Sequence, residues 1–118
     1  MDSFVRRLVE RLLEPSRPLS RNRHFHTFET PEGKRALTVA RRLRGLAHDV
    51  RRCLDRGTSP EVLQEGVNGS LRVELRFDDL AARRTAFLTG DEFVLLLRVP
   101  GMSEALAQPG QRDARPSS

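Results

Sequence analysis

His24-Phe25-His26, His48 and Cys53 are the side chains of this sequence whose types could hold a metal ion. In a strand, alternate residues share a face, so His24 and His26 would point together. His48 with Cys53 would then complete a nitrogen–sulfur set. The spacing follows no established zinc pattern, and Cys53 is the only cysteine. On a helix, His48 and Cys53 would also stand about 140° apart. These residues predict an edge-strand histidine pair and a small apolar cysteine at the border of a buried face, with no metal and no cofactor.

For catalysis the sequence offers little. Arg52 and Arg56 lie near Cys53 and could lower its thiol pKa. A nucleophile also needs exposure and an oriented base, and no base is indicated. Asp78-Asp79 and Asp91-Glu92 are the acidic pairs. Both fall at predicted turns, where Asp commonly stabilises local backbone. The phosphate-loop pattern G-x-x-x-x-G-K-[ST], the pattern G-x-S-x-G and the pattern H-E-x-x-H are all missing. The expectation is a protein that is not an enzyme.

Arginine is the chemistry the chain does have. Of 21 basic residues, all but Lys34 are Arg. Residues 1–56 carry 14 Lys and Arg against 7 Asp and Glu, a balance of +7, whereas residues 57–118 balance at −2. Such asymmetry favours an anionic partner for the N-terminal half. A GC-rich coding bias would give the same excess of Arg over Lys, so composition alone does not make the arginines functional. Their placement matters more. Arg41, Arg44, Arg51 and Arg52 fall on the polar side of an amphipathic segment, and Arg21 and Arg23 extend the basic character upstream.

The element that must position them runs from Thr30 to Arg56. Thr30-Pro31-Glu32 has the residue types of a helix start, and Gly57 is a stop. Val39, Ala40, Leu43, Leu46, Ala47, Val50 and Leu54 recur at three- and four-residue spacing and form one apolar arc. A first amphipathic helix is predicted over residues 3–13, ended by Pro15. Residues 15–23 read as an extended linker, and Arg23–Phe28 as a short strand or extended segment.

Past Gly57 the pattern changes. Val62–Val67 is ambiguous, but Asn68-Gly69 is a strong hairpin signal. Leu71 to Phe77 alternates apolar and charged residues, the mark of a half-buried strand, and Arg84–Leu88 predicts a second. Phe93–Val99 fits either a buried strand or a helix. The capping-box residues Thr89-Gly90-Asp91-Glu92 and the leucine content favour the helix. The expected fold is α+β: an N-terminal helix and a long basic helix packed with a small antiparallel sheet of two to three strands, then a short C-terminal helix. The expected core is Leu8, Leu12, Val39, Leu43, Leu46, Val50, Leu54, Leu71, Val73, Leu75, Phe77, Phe87, Phe93 and Leu97. Residues 1–100 are expected to form one domain, and residues 101–118 a mostly disordered tail.

No stretch approaches the roughly 18–20 apolar residues of a membrane span. The charged N-terminus does not read as a secretory signal. With its single cysteine, the chain is expected to be cytoplasmic. Docking of residues 3–14 to anionic lipid is weakly supported, since their net charge is only +1. The first functional expectation is a non-enzymatic adaptor or regulatory subunit of a bacterial signalling or polarity-type protein. It would dock another protein's acidic surface through the arginine face, or bury that face in a homodimer. The alternative is a nucleic-acid-binding protein using the same arginines. Against this stands the absence of Tyr and Trp, which leaves few stacking platforms.

Overall fold

The computed structural model describes residues 3–14, 29–78 and 83–106. The order is α1 (Ser3–Leu13), α2 (Pro31–Asp55), β1 (Glu61–Val67), β2 (Ser70–Asp78), β3 (Arg83–Thr89) and α3 (Gly90–Leu97). The expected α+β fold is the one observed, with a three-stranded antiparallel sheet in the order β1-β2-β3. Among the described residues, no helix is long and apolar enough to cross a membrane. The segment Arg23–Phe28 lies outside the described residues.

Local chemistry sets each boundary. At the start of α2 the Thr30 hydroxyl accepts from the Gly33 amide at 3.0 Å, and Pro31 occupies the first turn, where no intrahelical donor is needed. At its end Gly57, at φ +81°, turns the chain. The Thr58 amide then reaches the Cys53 carbonyl and the Gly57 amide that of Leu54, the paired bonds of a Schellman stop. Asn68 (φ 51°) and Gly69 (φ 79°) both take positive φ, which matches the strand twist of a two-residue hairpin. This turn resolves the ambiguous Val62–Val67 as strand β1, paired along its length to β2. Phe93–Val99 resolves mainly as helix: Thr89 and Glu92 form a reciprocal capping box at the start of α3.

The period-two alternation of β2 turns Val73, Leu75 and Phe77 toward the helices, beside Leu88 of β3. Helix α1 packs along α2, and α3 bridges the sheet and both helices. The core is continuous across Val5, Val9, Leu43, Val50, Phe77 and Leu96. It also takes in Met102, Ala105 and Leu106 on a helical turn over 102–106, so folded structure runs past the boundary expected at residue 100.

Three expected core residues are exposed instead: Leu54 at 42%, Leu71 at 41% and Phe87 at 51%. Leu54 sits in the last turn of α2, at the end of the packed stripe. Phe87 points to the opposite face of β3 from Leu88, because neighbours on a strand alternate. Leu71 rests against the start of α3, where Gly90 makes room: a Cβ at position 90 would come 3.1 Å from the Leu71 Cβ. Val39 and Leu97 are partly buried against the core.

Candidate docking surface

Among the described residues, those that invited metal or thiol chemistry do not converge. His24 and His26 lie outside the described residues. His48 is exposed on α2, while Cys53 is half-buried against the core. Among the described residues, no group of three or more His, Cys, Asp or Glu could hold a metal ion. Asp78 pairs with Arg83 at 3.5 Å, and Asp79 lies outside the described residues. Asp91 and Glu92 bind arginines: Arg6 reaches Asp91 at 2.7 Å, and Arg42 reaches Glu92 at 2.9 Å.

The arginines of α2 divide into those held by the fold and those left unpaired among the described residues. Arg44 donates to the Leu12 carbonyl, tying α2 to the last turn of α1. Arg51 donates to the Pro100 carbonyl at 3.1 Å and holds the chain after α3. Arg52 pairs with Asp49 at 3.0 Å, and Asp49 also takes Arg84 of β3 at 3.2 Å. Arg42, absent from the sequence-based set, is the most engaged. It grips Glu92 with both terminal nitrogens and donates to the Phe87 carbonyl at 2.6 Å. Only the fold could show this, since its partners lie 45 and 50 positions away. Arg21 and Arg23 lie outside the described residues.

Arg41 remains exposed, and neither the Arg41 guanidinium nor the Lys34 ammonium has an ion-pair or hydrogen-bond partner among the described residues. At 100° per residue, Lys34, Arg41 and Arg52 fall within about 20° of one another, spread over about 27 Å of helix. Thr38 and Gly45 lie beside them, and a Cβ at Gly45 would meet nothing within 4 Å. A glycine inside an exposed helix costs about 0.5–1 kcal/mol relative to Ala. Its effect here is to leave the backbone bare between cations. On the sheet's outer face, by contrast, charges alternate and cancel. Arg72 pairs with Glu65 and lies over the Phe87 ring, while Arg76 bonds Glu74 at 2.8 Å. The Glu74 hydrogen bond and charge push the Arg76 pKa above its ordinary value.

A second concave feature opens on the other flank of α2. It is an open groove of about 760 Å³ lined by Val5 of α1, Arg35 and Val39 of α2, Ser70 and Leu71 of β2, and the Thr89–Glu92 turn with Val94. Compared with known protein-family models, curated proteins and solved structures, the chain matches none.

Proposed function

We propose that this chain is a protein-interaction module, an adaptor or regulatory subunit, that docks an acidic partner along the outer ridge of α2. The observation that carries the reading is the pair Lys34 and Arg41, in line and unpaired among the described residues on the exposed side of α2 with Arg52 beyond them, while Arg42, Arg44 and Arg51 are tied to the fold. Charges on such a rim steer encounter and fix orientation, and Arg adds bidentate contacts to carboxylates. Gly45 supports the same reading, because it lets a partner approach the helix backbone closely.

A nucleic-acid surface is the alternative use of these cations. The tethers weigh against it. Arg44 and Arg51 are aimed at main-chain carbonyls and Arg52 at Asp49, which leaves few guanidinium groups for phosphates. With three cations on α2 unpaired among the described residues, Lys34, Arg35 and Arg41, counterion release from this helix gives a log–log salt slope of about −3 rather than the steep one of a dedicated binder.

The test is a photo-crosslinking residue at Thr38, exposed beside Lys34 and Arg41, with a second at Thr85 on the outer sheet face as control. In native extract, position 38 is expected to join an acidic protein and position 85 is not. Crosslinking of position 38 to nucleic acid, or equal labelling from both positions, would overturn the assignment.

A further inference from the structure

The groove beside α3 lies away from the cationic ridge: Arg35 and Val39 are about 100–160° around α2 from Lys34 and Arg41. Its lining is apolar where it is open. Leu71 and Val94 are 41% and 52% exposed, and half-buried Val39 adds further aliphatic surface, while Val5 is fully buried. Its charges are unbalanced in one direction. Both lining carboxylates are neutralised within the fold, Asp91 by Arg6 and Glu92 by Arg42. Arg35 is exposed and has no hydrogen-bond or ion-pair partner among the described residues.

We infer that this groove is a second docking site, which takes a segment of a partner protein presenting large apolar side chains beside a carboxylate. The apolar side chains would cover Leu71 and Val94, removing that surface from water. The carboxylate would meet Arg35 at the rim, and a basic segment in the same place would be repelled. Because ridge and groove flank α2 on separate sides, the chain can hold two partners, or two parts of one partner, at once. That is what an adaptor requires, and the ridge alone does not supply it.

The inference stands apart from the ridge and is tested without it. The full chain is immobilised and a random-peptide display library is selected against it. Enriched peptides are then measured against Arg35→Glu, Val94→Asp and Arg41→Glu variants, with far-UV circular dichroism confirming that each is folded. The expected peptides combine apolar residues with Asp or Glu. They bind Arg35→Glu and Val94→Asp about tenfold or more weaker and Arg41→Glu unchanged. Replacing the peptide acid by Lys should abolish binding to the parent chain and restore it on Arg35→Glu. Four results would overturn the site: no enrichment; peptides without acids; equal binding to Arg35→Glu; or displacement of the peptides by excess free chain. Weakening by Arg41→Glu alone would assign the peptides to the ridge, and so would refute the groove while sparing the reading above.

Discussion

Arg42 and Glu92 form the junction on which α2, β3 and α3 meet, and a double-mutant cycle measures it. The guanidinium reaches both Glu92 oxygens, at 2.9 and 3.2 Å, and the Phe87 carbonyl at 2.6 Å. The same carboxylate accepts the Thr89 amide at 3.0 Å to close the cap of α3. The Glu92 side chain is 14% exposed and that of Arg42 41%. Fully exposed pairs contribute about 0–1 kcal/mol and hydrogen bonds to charged groups about 1.5–3 kcal/mol. A half-screened bidentate pair should therefore show a coupling of about 1–2 kcal/mol. Arg42→Met keeps the aliphatic stem, and Glu92→Gln keeps an acceptor for the Thr89 cap. Each single change should lower stability by about 1–2 kcal/mol, and the double change little more than either. In a domain of this size, 1 kcal/mol moves the melting temperature by about 4–8 °C. Urea and thermal unfolding are best followed by far-UV circular dichroism, since the chain has no Trp or Tyr. If the two effects add within about 0.3 kcal/mol, the pair is not coupled and the junction does not hold these elements together.

Three further outcomes follow from the same geometry. Gly45→Ala should raise stability by about 0.5–1 kcal/mol in urea unfolding, because the exposed helix gains propensity and a Cβ there meets nothing; a bulky residue at 45 should instead weaken partner binding. Gly69→Ala, at φ +79°, should lower stability by about 1–2 kcal/mol, and hydrogen exchange should show the loss as faster opening of the β1–β2 hairpin. Arg44→Ala should cost about 1 kcal/mol and speed amide exchange in the last turn of α1, whereas Arg41→Ala should change stability by less than about 0.5 kcal/mol. Equal losses at positions 41 and 44 would erase the distinction between tether and ridge.

Most of the architecture was legible because local rules agree with the tertiary fold. Thr30, Gly57, Asn68-Gly69 and the Thr89–Glu92 box each act through nearby backbone, so the sequence marks them directly. Strand β1 is ambiguous in sequence because its EVLQEGV pattern is weakly alternating; its residues are exposed or half-buried, and it is held by pairing along its length with β2. Leu54, Leu71 and Phe87 have core-like types, but their burial depended on what lies across from them, which periodicity does not encode. Residues 102–106 were lost in a polar composition although Met102 and Leu106 reach the core. Spacing places Arg41, Arg44, Arg51 and Arg52 on one side of α2. Only the neighbouring elements show that Arg44 and Arg51 fold down onto carbonyls while Arg41 stays free. The contacts of Arg42 likewise depend on residues 45 and 50 positions away, and the groove is assembled from four separate segments.

The most direct test of the ridge is quantitative capture from nuclease-treated native extract, with the parent chain and the Lys34→Glu/Arg41→Glu double variant immobilised side by side. The parent chain should retain an acidic protein in stoichiometric amount, and the double variant should lose it while keeping an unchanged melting temperature. Retention of that protein by the folded double variant would contradict the ridge as the docking surface. So would capture seen only when the nuclease is omitted, with no protein retained after treatment.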